Sequence, residues 1–77
     1  MTVDQIDKIK ERVINTLKRH SVEIDDYMLN RACMLATDDY LDVLADTILC
    51  EYFLLLGERE WAKYWNTERK ELLKNLL

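Results

Sequence analysis

The chain has 77 residues, 49% of them apolar and 34% charged, with no proline and a single glycine. That composition excludes a disordered chain and a turn-rich all-β domain, and at this length it allows one domain near the smallest that a hydrophobic core sustains without staples. The net charge is −4, and residues 1–20 carry five basic and three acidic side chains, residues 21–60 two and ten, and residues 61–77 four and two; an acidic centre stands where a nucleic-acid binder would gather lysine and arginine, so no nucleic-acid contact is expected and a basic partner surface is easier to accommodate.

The first helix is expected from Val3, after a capping box formed by Thr2 and Gln5. Val3, Ile6, Ile9, Val13 and Leu17 step by three or four and make one apolar stripe, widened by Ile14, while Lys8, Glu11, Arg12, Asn15 and Lys18 take the wet side. Lys18, Arg19 and His20 suit the negative end of the helix dipole. His20 then leads into an extended connection to Asp25, in which β-branched Val22 and Ile24 pin two apolar side chains to the core.

A second, shorter helix spans about Asp26 to Ala36, capped by Asp25 or Asp26. Met28, Leu29, Ala32, Cys33, Leu35 and Ala36 give it a wide apolar face, and Asn30 and Arg31 its wet one. The chain nearly repeats itself at Asp38-Asp39-Tyr40-Leu41-Asp42 after Asp25-Asp26-Tyr27-Met28-Leu29, which reads as two helix starts using aspartates as caps. Nothing at Thr37 breaks a helix, so a turn there and a continuous, kinked helix both fit.

The third helix, from Thr37 to Gly57, is the stretch around which the rest is organised. Asp38 and Asp39 suit its positive end, Gly57 suits a left-handed C-terminal cap, and Asp39, Asp42, Asp46, Thr47 and Glu51 are expected to form its one wet stripe. Beyond Glu51, Tyr52 to Leu56 cover every side, so that last turn is buried within the fold or against a partner. The fourth helix starts near Glu58. Trp61, Trp65, Leu72 and Leu76 form its face, and the polar run from Asn66 to Glu71 implies that it leaves the core there, so that its final turns meet something else.

Chemistry is sparse. His20 reads as a solvated or capping residue. Asp38, Asp39, Asp42 and Asp46 form the one carboxylate cluster, without the ligand spacing of a di-iron or calcium site, so the cluster reads as a solvated face or as an acidic docking face for basic residues. Cys33 and Cys50 are expected as reduced, small core hydrophobes. No phosphate-binding glycine loop or nucleophile–histidine pair can be proposed, a helix-turn-helix reading fails on the acidic opening of the third helix, and no cofactor or metal is expected. Trp61, Tyr64 and Trp65, three rings in five residues, fit core packing or an interface anchor. The polar, charged start predicts no signal peptide, and the longest apolar run, Ile48 to Leu56 broken by Glu51, is too short to span a bilayer, so a cytoplasmic location is expected.

Glu23-Ile24-Asp25-Asp26 leads into Met28-Leu29 and Ala32; Ala45 precedes Tyr52-Phe53-Leu54-Leu55-Leu56-Gly57; Ala62, Tyr64 and a closing Leu72-Leu73-Lys74-Asn75-Leu76 follow. Over residues 23–77 this pattern resembles the small head–tail adaptor (connector) proteins of tailed bacteriophages. The resemblance implies a helical subunit that packs in a ring between portal and tail, located in the virion, working by shape and docking with no catalytic residue.

The expected fold is therefore all-α, a bundle of three to four helices in one domain. The expected function is a non-enzymatic protein-interaction or assembly module with a protein partner or a second copy. Its interface is expected at Tyr52, Phe53, Leu55 and Leu56, at Trp61, Tyr64 and Trp65, and at Leu72 and Leu76. The competing expectation is a small acidic regulator that places Asp38, Asp39, Asp42 and Asp46 on a basic site of another protein, as a nucleic-acid mimic does.

Overall fold

The computed structural model describes residues 3–36 and 40–76. Within them the chain forms four helices, α1 (Val3–Arg19), α2 (Asp26–Leu35), α3 (Leu41–Leu55) and α4 (Arg59–Leu76). The all-α expectation holds, and the radius of gyration of 11.6 Å is close to the roughly 11.5 Å of a compact domain of this length.

The stripe of α1 packs as its spacing dictates: Ile9, Val13 and Leu17 are buried, Ile14 is half-buried, and Lys8, Glu11, Arg12, Asn15 and Lys18 are exposed. Ile6 lies at the edge of that stripe and remains exposed. The proposed Thr2–Gln5 capping box lies outside the described residues. At its other end α1 closes with two bonds, Val22 N–H to Leu17 O at 2.9 Å and Ser21 N–H to Lys18 O at 3.0 Å, around Ser21 in the left-handed region at φ 58°. This is a Schellman motif with serine in the place usually given to glycine. Val22, which follows, packs against the core, as does Ile24.

Asp25 caps α2, its Oδ1 accepting from the Met28 N–H at 3.1 Å. Leu29 and Ala32 are buried and Asn30 and Arg31 exposed. α2 stops at Leu35, because Ala36 is extended, and Tyr40 ahead of α3 is extended too. Helices α2 and α3 are therefore separate, and the continuous alternative is ruled out.

α3 is the helix that the other three share: α4 packs on it most extensively, then α2, then α1. Its start differs from the expectation, since the N-cap is Tyr40, without a side-chain bond, while Thr37, Asp38 and Asp39 lie outside the described residues. The expected wet stripe is also corrected. Asp46 is only 9% exposed, and Thr47 and Glu51 are half-buried, because a helix with neighbours on three sides keeps little surface for water.

The last turn of α3 is covered within this one molecule on one side only, since Leu54 is 51% and Leu56 37% exposed. Tyr52 and Phe53 are fully buried, so neither is available to a partner as the sequence suggested. The Phe53 ring stacks on Trp61 of α4 at 5.5 Å and meets Tyr52 edge-on at 5.6 Å. Gly57, at φ 77°, makes the expected left-handed cap, with Glu58 N–H bonded to Phe53 O at 2.9 Å and Gly57 N–H to Leu54 O at 3.1 Å. The chain reverses in three residues, and α4 runs back along α3. It does not leave the core at its polar stretch: half-buried Arg69 donates from Nε to Thr47 Oγ1 at 2.9 Å, and Leu72 and Leu73 beyond it are half-buried.

Candidate functional site

Among the described residues three surfaces stand out once the core is accounted for. The first is polar and lies between α1, α3 and α4. It is a cleft of about 310 Å³ lined by Arg12, Thr16, Arg19 and His20 of the α1 side, Ala45, Asp46 and Leu49 of α3, and Trp65 of α4. Thr16 is buried at its wall with its hydroxyl used twice: Oγ1 donates to Arg12 O at 2.9 Å and accepts from Arg19 Nη2 at 3.2 Å. That pair of bonds ties the Arg19 guanidinium to the wall.

One polar group beside this cleft has no such partner: the Trp65 Nε1–H is sealed from bulk solvent and bonded to nothing among the described residues. Burial pushes the Asp46 carboxyl above the ordinary carboxylate range, the Arg12 charge opposes that rise, and Glu68 adds to it. A buried donor left unpaired costs stability.

Beside the cleft lies the aromatic cluster. His20, exposed at the end of α1, sits edge-on to Trp61 at 5.2 Å and to Trp65 at 5.8 Å, and Tyr64 sits edge-on to Trp65 at 5.0 Å and to Trp61 at 6.0 Å. Trp61 and Trp65 are half-buried and only Tyr64 of the three faces solvent. Sequence spacing found the three α4 rings but not His20, whose role depends on α1 ending beside α4.

The third surface is an apolar cleft of about 170 Å³ at the other end of the bundle. Ile6 and Ile9 of α1, Cys33 and Ala36 at the end of α2, and Leu44 and Ile48 of α3 line it. Ile6 is 44% exposed, and between Cys33 and Ala36 the α2 residues Met34 and Leu35 are 82% and 49% exposed. None of these residues stood out in the sequence, because each belongs to an ordinary helical stripe. The signal is that α2 carries more apolar positions than its two neighbours can cover.

The expected interface residues are thus divided. Tyr52 and Phe53 are core; Leu55, Trp61, Trp65 and Leu72 are half-buried; Leu56, Tyr64 and Leu76 are exposed. Of the expected acidic docking face, Asp46 points inward, and Asp38, Asp39 and the Asp42 side chain lie outside the described residues.

Cys33 and Cys50 are free and half-buried. Burial pushes both thiols up, against Lys10 at Cys33, and with Glu51 and against Arg69 at Cys50, which makes them poor nucleophiles. Among the described residues no three histidine, cysteine, aspartate or glutamate side chains gather as a metal-ligand set, and no helix is long and apolar enough to cross a membrane. The fold is that of a small all-α four-helix domain. No protein-family model, curated protein or solved structure matches the chain significantly.

Proposed function

We propose that the chain is a non-enzymatic assembly module that associates with copies of itself through its apolar end. The observation that supports this reading is the cleft lined by Ile6, Ile9, Cys33, Ala36, Leu44 and Ile48, together with exposed Met34 and Leu35 on α2. A groove of this kind takes an apolar knob from a neighbouring helix, and exposed apolar side chains around it gain by being covered. The resemblance to head–tail adaptor proteins belongs to the same proposal, because a head-to-tail contact whose rotation closes yields a ring.

Light scattering over a dilution series tests it. The expected result is an oligomer for the natural chain and a monomer of unchanged helicity for the double variant Ile6→Glu, Leu35→Glu. A natural chain that stays monomeric throughout the series would sink the proposal.

A further inference from the structure

Helix α2 carries a side chain that its own fold does not explain. Met34 is 82% exposed, more than any other large apolar side chain among the described residues, at a helical position where lysine or glutamate would serve the helix as well. It follows Cys33, which lines the apolar cleft together with Ala36 two residues beyond Met34. A thioether on an unbranched, flexible chain suits a surface that must adapt to a neighbour. It is also an apolar side chain that a mild oxidant turns into a polar one.

The other sulfur atoms are worse placed for that chemistry. Met28 is half-buried against the core, and Met1 lies outside the described residues. Cys33 and Cys50 are half-buried, and burial pushes both thiols up, so little of the reactive thiolate is present. Among the described residues Met34 is therefore the sulfur that a peroxide meets first.

Resting on the assembly reading above, we infer that Met34 is an oxidation switch on the self-association surface: its sulfoxide blocks assembly of the free chain, and assembly shields the thioether. In the step, Sδ attacks one oxygen of hydrogen peroxide, the O–O bond breaks and an S–O bond forms. The hydroxide released takes the proton of the new S–OH and leaves as water, so the sulfur is oxidised by two electrons and the peroxide reduced. The sulfoxide oxygen is a strong acceptor, and covering it without a donor weakens a contact about tenfold or more. Met34 belongs neither to the core nor to the side chains packed on it, so the single molecule keeps its fold.

The test treats a dilute solution of the natural chain with hydrogen peroxide, removes the oxidant with catalase, and follows association by light scattering as the protein is concentrated. Peptide mass spectrometry locates the added oxygen. The expected result is oxygen on Met34 ahead of Met28, unchanged helicity, and a dissociation constant raised about tenfold or more. Dithiothreitol alone, which returns oxidised thiols, should not restore assembly. Adding the two methionine sulfoxide reductases, one for each epimer, with dithiothreitol as electron donor, should restore it. Met34→Leu should assemble like the natural chain and resist peroxide, and Met34→Gln, polar from the start, should assemble as weakly as the oxidised chain. Met34 should also be oxidised more slowly in a concentrated, assembled sample than in a dilute one. A natural chain that is oligomeric before treatment and stays so once Met34 carries oxygen would overturn the switch and leave the assembly reading standing. Loss of assembly in Met34→Leu under the same peroxide would do the same. A natural chain that is monomeric before treatment would sink the assembly reading and the switch with it.

Discussion

Two aromatic side chains of this bundle carry a polar atom into the interior, and they are treated in opposite ways. Tyr52 places its hydroxyl between the α1–α2 connection and α3, where it donates to Glu23 O at 3.2 Å and accepts from the Asp25 N–H at 2.9 Å. Asp25 is also the cap of α2, so one phenol holds the start of a helix against the core. Trp65, on α4, carries an N–H that is sealed from solvent and bonds nothing among the described residues. The difference teaches which buried polar group is structural and which is available. The first has used its hydrogen-bonding capacity on the fold, and the second has it left over.

Removing the two polar atoms in turn breaks or sustains that comparison, and gives the largest expected effect. Tyr52→Phe keeps the ring but leaves Asp25 N–H and Glu23 O without their partner, and should cost about 1–2 kcal/mol in urea unfolding with an unchanged m-value. Trp65→Phe has no such bond to lose and should cost clearly less. Equal losses would erase the distinction.

Asp46→Asn sharpens the comparison from the cleft side. The native carboxyl titrates above its unfolded value, so between those two values the folded chain holds more protons and stability falls as pH rises; above the native value the deficit is fully present. The variant should be about 1 kcal/mol more stable than the natural chain at neutral pH and should lack this fall. Thermal unfolding of both proteins from about pH 4 to about pH 8 checks the sign, which would be reversed if Asp46 were held by an ion pair.

The smallest effect concerns the residue that joins the two regions. Ser21 separates His20 at the cleft from Val22 on the way to Tyr52, and it is held at φ 58°. Ser21→Gly should stabilise by about 0.5–1 kcal/mol, and Gly57→Ala should destabilise by about 1 kcal/mol through backbone strain alone, since a Cβ there meets nothing within 4 Å. Opposite signs in the same denaturation assay confirm that the two helix ends are one motif.

The sequence announced much of this fold. α1 and α4 were legible because their apolar residues recur at helical spacing, and Gly57 because a lone glycine after an apolar run has few other uses. Asp46 was misread for a physical reason: on α3 nearly every position is apolar, so the aspartates seemed to mark the wet side, and periodicity could not register that α1 and α4 cover it. The polar run of α4 was misread in the same way, since Arg69 reaches Thr47 by a bond that hydrophobic spacing does not encode. The clefts were out of reach altogether. Each is built from residues of three separate segments, and only the packing of those segments brings His20 to Trp65 or Ile6 to Cys33.

The three-residue reversal at Gly57 also bears on how the chain folds. It makes the most extensive helix pair, α3 with α4, the pair that is adjacent in sequence, so its closure sacrifices little chain entropy, whereas α1 must be brought back across the whole of α2. The route of least entropy therefore forms residues 41–76 as a helical hairpin and adds α1 and α2 to it afterwards. Mutational effects on the folding rate should accordingly be concentrated where Phe53 meets Trp61 and be weak along α1.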